Sequence, residues 1–170
     1  EKAGDLVQTE YAALLGDDEF HLPDGLQACI QELESHETLV ACMGRCLGFQ
    51  LVSEQIFAWP AYPAMANYGV LQDTPNARMI HHMNPYTPST IYSVVRTPVW
   101  TQAMGITAKR QFSVYALGEL QVELAICYQG KSKVIEDLMW LRSRENESLG
   151  DGHFIWFDKW WIDKDKSDER

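Results

Sequence analysis

Two adjacent histidines in the stretch "MIHHMNP", His81 and His82, are the residues best suited to chemistry near neutral pH. An imidazole titrates close enough to neutrality to take up a proton and return it, as a general base must. Asp73, Tyr86 or Tyr92 could orient it. If the segment is extended, the two imidazoles point to opposite faces, so at most one enters a given pocket. A histidine of this kind would serve a small pocket enzyme, an isomerase or dehydratase, and no cofactor is implied.

Other chemistries find little support. Cys42, Cys46 and His36 fall along one side of an expected helix, but the C-x-x-C pairs and the H-E-x-x-H motif of zinc sites are missing, and no metal site is expected. G-x-S-x-G, Walker A and G-x-G-x-x-G are missing as well. At helical spacing Cys42 and Cys46 are poorly placed for a disulfide with each other, and the four cysteines are expected as buried free thiols, a bridge from Cys29 or Cys127 to one of that pair being the alternative. That usage fits a reducing, cytoplasmic compartment better than secretion.

Aromatic side chains make the stronger case. "HFIWFDKWWID", residues 153–163, reads as a strand with Phe154, Trp156 and Trp160 on one face and Ile155, Phe157 and Trp161 on the other. Each aromatic can bury about 150–250 Å², so a second apolar face needs cover from a loop, an apolar ligand or a partner subunit. Trp59, Tyr62, Trp100, Phe157 and Trp161 are therefore the expected binding residues.

The elements that must position these groups follow from charge and periodicity. Net charge is −10, split as −9 over residues 1–37, +1 over 38–130 and −2 over 131–170. The charge-poor middle is the expected interior. The acidic first segment excludes a phosphate-backbone footprint, so no nucleic-acid partner is expected. No apolar run reaches the roughly 18 residues of a membrane span. Residues 5–15 read as a short helix; a long helical stripe from Pro23 to Leu47 breaks near Ser35. Strands are expected at 49–59 and 90–96. Residues 60–88, with five of the seven prolines, read as a long irregular loop. Alternation over 111–128 predicts a hairpin turning at Gly118, and Val134, Ile135, Leu138, Met139 and Leu141 predict a helix over 131–146.

"LGF" at 47–49, "YP" at 62–63, "NP" at 84–85 and "TPVW" at 97–100 follow the order of landmarks in the acyl-homoserine-lactone-binding domains of LuxR-type regulators, which about half of the chain resembles. The resemblance implies an α-β-α sandwich that binds an amphipathic signal. The family's aspartate before the middle proline, which holds the ligand amide, is replaced here by Asn84, and no DNA-binding helix-turn-helix follows.

The expected fold is a single α+β domain over residues 1–163 with a charged tail at 164–170. In it, N-terminal helices and one late helix pack on a mainly antiparallel, curved sheet, in an NTF2-like or GAF-like arrangement. The expected function is a non-catalytic binding or regulatory module whose aromatic surface meets a protein partner, a second copy or an apolar small molecule. The pocket enzyme with a histidine base is the alternative.

Overall fold

Pro23 opens the first helix and Leu26, Cys29, Ile30 and Leu33 give it one apolar side, so α1 (Pro23–Ser35) forms where the periodicity places it. The computed structural model describes residues 6–86, 90–107 and 114–145, apart from the side chains of residues 115 and 116. The expected strand at 153–163, with Phe157 and Trp161, and the expected tail lie outside the described residues.

The helix stops at Ser35, as its spacing requires, and Arg96 seals its end by donating to the Leu33 and Leu39 carbonyls at 2.6 and 3.0 Å. The continuation is not a second helix. Residues Leu39–Val52 form the long strand β3, so Cys42 and Cys46 lie on a strand and His36 beyond the end of α1. Leu39, Ala41, Cys42 and Met43 are all buried. A strand covered on both faces shows a continuous apolar run, which periodicity alone cannot tell from a helix.

Two further elements invert the sequence reading. The expected late helix is strand β7 (Lys131–Ser143), parallel to β3. Val134 pairs with Met43 but Leu138 with Arg45, so four steps of β7 match two of β3. Such a bulge breaks the period of two and leaves apolar residues at helix-like intervals. The expected hairpin is helix α4 (Tyr115–Gln129) in its described part. Val122, Glu123, Ile126 and Cys127 form its buried stripe, and Glu123 on that stripe made the pattern look like alternation.

Around this pair the sheet is mixed and mostly antiparallel, in the order β1 (Tyr11–Ala12), β6 (Val94–Arg96), β3, β7, β2 (Glu19–His21). β4 (Gln55–Ala61) pairs with the second half of β3, and β5 (Gly69–Val70) with the start of β7. Ser53 and Glu54, both at positive φ, turn β3 into β4. The expected N-terminal helix is largely replaced by extended chain containing β1. The expected loop at 60–88 contains α2 (Pro75–His82), whose cap is the Thr74 hydroxyl accepting from the Ala77 N–H at 3.3 Å. The strand expected at 90–96 is a 3-10 turn followed by β6, and α3 (Thr97–Thr107) begins directly after it.

Consecutive residues of β7 face opposite sides of the sheet. Met139 meets α1, where the Cys29 thiol lies 3.6 Å from its sulfur, while Trp140 turns to the other side. A second cluster, Ala41, Val95, Trp100, Ala103, Val122 and Ile126, joins α3 and α4 to the sheet. No helix among the described residues is long and apolar enough to cross a membrane.

Candidate functional site

The sheet side turned away from α1 carries a stack of aromatic rings built on Trp140, which is itself a core residue 1% exposed, with Tyr62 and Tyr92 half-buried against it. Tyr92 lies on Trp140 with centroids 4.4 Å apart and planes 28° apart, and Tyr62 lies on the same indole at 5.9 Å and 15°. The Arg142 guanidinium is 5.6 Å from the Tyr62 and Trp140 rings and 5.8 Å from Tyr92, within cation–π range of all three. Glu19 of β2 fixes this group from one side. Its Oε2 accepts from the Trp140 indole N–H at 3.0 Å and its Oε1 lies 3.3 Å from Arg142 Nε, while Arg142 Nη1 donates to the Tyr62 hydroxyl. Aromatic positions are thus set by one strand pair and one buried carboxylate.

Tyr62 also borders a groove of about 430 Å³ whose apolar walls include Cys46, Leu47, Ala61, Met65 and Leu138. Arg45 and Glu136 stand among its lining residues. Burial pushes the Cys46 thiol up to about 12, with the Glu19 charge adding to it, so this wall is an apolar surface and not a nucleophile. All four cysteines are free and buried.

The second feature is a polar relay between α2 and α4. His82 is fully buried, with Nδ1 2.8 Å from the Tyr68 hydroxyl and Nε2 2.9 Å from Glu123 Oε2. A carboxylate can only accept, so with Glu123 ionised Nε2 carries the proton and Nδ1 accepts from Tyr68. Burial, and then the charges of Cys127 and Glu123, raise the Tyr68 phenol well above its usual value, which keeps it a donor. Tyr86 meets the His82 ring edge-on at 5.5 Å; burial and then the Glu123 carboxylate raise its pKa too. Glu119, one turn before Glu123, is pushed up by burial and by the Glu123 charge.

Arg78 holds the two helices in register. It is 6% exposed and donates to the Cys127 and Tyr128 carbonyls at 2.6 and 2.7 Å and to the Gln72 and Asp73 carbonyls at 3.1 and 3.0 Å. Cationic donors at the last carbonyls of α4 are favourable for the same reason that cations suit any helix C-terminus.

The residues expected from the sequence divide accordingly. His81 and His82 sit on a helix, so the extended-segment geometry does not apply: His82 enters the interior and His81 stays exposed, stacked on Tyr68 at 6.0 Å. The Asp73 side chain, 93% exposed, pairs with Lys131 at 2.7 Å, which lowers its pKa, and does not orient His82. Tyr92 belongs to the aromatic stack. Tyr62 is in that stack and in the groove, Trp59 is a part-exposed side chain on β4, and Trp100 is a core residue of α3, 5% exposed. Sequence reasoning missed Trp140, Arg142, Glu19, Tyr68 and Glu123. Glu123 had one signal, a carboxylate in a charge-poor segment; Glu19 and Arg142 had none, because their meeting depends on a strand pairing.

Among the described residues no group of three or more histidine, cysteine, aspartate or glutamate side chains is placed to hold a metal ion. No protein-family model matches the chain, and no curated protein matches it.

Proposed function

We propose that the protein is a non-catalytic binding module that takes an apolar or amphipathic small molecule on the sheet face opposite α1. The observation that carries this reading is the groove with apolar walls bordered by Tyr62, whose ring is held in place on the buried Trp140 indole. Pre-formed apolar concavities with a few fixed polar groups are the usual form of small-molecule sites. Rings held by Glu19 and Arg142 lose little further freedom when a ligand arrives. Helices on either side of an open sheet support the GAF-like variant of the fold more than a cone closed around a helix. The resemblance to lactone-binding domains points to the same ligand class, and Asn84 in place of the aspartate argues for a different head group. Four buried free thiols support a reducing compartment.

Native mass spectrometry of the purified chain tests this: a retained or added apolar molecule should bind one to one, and Tyr62→Ala should weaken it. Binding that ignores Tyr62→Ala and Trp140→Leu would refute it.

One observation favours a second reading, a protein partner or self-association. The β3–β4 hairpin exposes Leu51, Val52, Ile56, Phe57 and Trp59, and among the described residues β4 pairs only with β3. Unpaired edges with apolar side chains invite a further strand. Light scattering of the wild type and Phe57→Asp decides: a monomer at every concentration removes self-association. The catalytic alternative, His82 as the base of an isomerase or dehydratase, requires Tyr68 to swing off Nδ1, because both ring nitrogens are engaged.

A further inference from the structure

One residue of β3 carries a charge, Arg45. Its side chain is 55% exposed, between the buried Gly44 and Cys46. The pairing of β3 with β7 shifts register on both sides of Arg45, and irregularities of this kind re-aim a side chain. Arg45 lines the apolar groove beside Tyr62 and is the only base among its described lining residues. Glu136, in the stretch that the bulge adds to β7 between Val134 and Leu138, lines the groove too. The two side chains meet through a single contact, Nη2 to Oε1 at 3.5 Å, with Glu136 79% exposed. An exposed ion pair of that length contributes little to stability, so the carboxylate can turn into solvent at small cost. Arg142, by contrast, is committed to Glu19 and to the Tyr62 hydroxyl.

We propose that Arg45 is the head-group partner for a monocarboxylate whose unbranched apolar tail lies along Leu47, Ala61, Met65 and Leu138. This rests on the groove being a binding site. A guanidinium donates two parallel N–H bonds to a carboxylate, a charge-assisted pair stronger than a hydrogen bond to a neutral hydroxyl. One guanidinium also matches the single charge of a carboxylate, whereas a phosphate dianion would keep one charge unmatched. Ligand and Glu136 compete for the same cation, so Glu136 holds the affinity down. The net charge of −10 works against an anion at long range, so the preference must come from Arg45 itself.

The test is a calorimetric titration of the full chain with octanoate at neutral pH, where it is ionised, and with the neutral octan-1-ol. Octanoate should bind roughly tenfold tighter than the alcohol, and Arg45→Gln should bring it down to the affinity of the alcohol without moving the alcohol. Glu136→Gln should act in the opposite direction, tightening octanoate by up to about fivefold and leaving the alcohol where it was. This second variant carries the test if Arg45→Gln fails to fold. Equal affinity of the two ligands for the wild type overturns the head-group assignment while leaving the groove intact as an apolar site. Binding of neither ligand overturns both. A preference for octanoate that survives Arg45→Gln, or a Glu136→Gln variant that binds octanoate no tighter, also overturns the assignment.

Discussion

Replacing Glu123 by leucine removes the acceptor of the His82 Nε2 proton inside a region where both side chains are fully buried. A buried donor left unpaired costs about 1–3 kcal/mol. His82→Phe should cost a similar amount, because it strands the carboxylate and the Tyr68 hydroxyl together. The double variant, His82→Phe with Glu123→Leu, removes both members of the pair and with them the mutual penalty. It should therefore be less destabilised than the sum of the singles, with a coupling of at least about 1 kcal/mol. For a chain of 170 residues each kcal/mol moves the melting temperature by about 2–4 °C. Urea unfolding followed by circular dichroism on the four proteins gives the coupling directly. Single-variant costs that add to within roughly 0.3–0.5 kcal/mol would show that the two side chains do not interact, and the relay would be wrong.

Other consequences are equally direct. Gly25→Ala should destabilise by about 1–3 kcal/mol in chemical denaturation, because a Cβ there would run into the Leu138 carbonyl oxygen and the Met139 Cα where α1 rests on β7. Burial raises Cys46 and Cys127 to about 12, and a hydrogen bond with Cys42 together with burial raises Cys29, so a thiol reagent at pH 8 should label the native protein slowly and report four thiols only after unfolding. Burial holds His21 below its usual 6.5, so the unfolded chain binds the proton more readily. The stability His21 contributes is full above about pH 6.5 and is lost as pH falls through that value toward its folded pKa. Melting temperatures between pH 7.5 and 5.5 should accordingly drop less in His21→Phe than in the wild type; parallel drops would contradict the shift.

The parts of the fold that could be read in the sequence are those whose burial is one-sided. α1 announced itself by Pro23 and its single apolar stripe, and the Ser53–Glu54 turn lies inside a segment already β-like in composition. β3 and β7 did not, because the central strand is apolar on both sides and the bulges between Met43 and Cys46 shift the register of its partner. α4 was hidden by Glu123: a buried glutamate counts as a solvent-facing residue in any periodicity argument until its histidine is known. The candidate site was half visible for the same reason. Tyr62 and His82 were singled out by type, whereas Trp140, Glu19 and Arg142 meet through a pairing between strands far apart in the chain, and Tyr68 reaches His82 only once α2 has formed.

The central claim is that the groove beside Tyr62, whose ring lies on the buried Trp140 indole, is a pre-built site for an apolar ligand, and the Trp140 indole N–H, held by Glu19 at 3.0 Å, is its natural reporter. Proton–nitrogen correlation spectra should be recorded while N-phenyl-1-naphthylamine is titrated into the labelled protein. A saturable shift of the Trp140 indole signal, shared by the amides of Tyr62, Met65 and Tyr92 and lost in Tyr62→Ala, is the predicted result. An indole signal that stays fixed while the hairpin amides of residues 51–57 move would place the binding surface elsewhere and contradict the account.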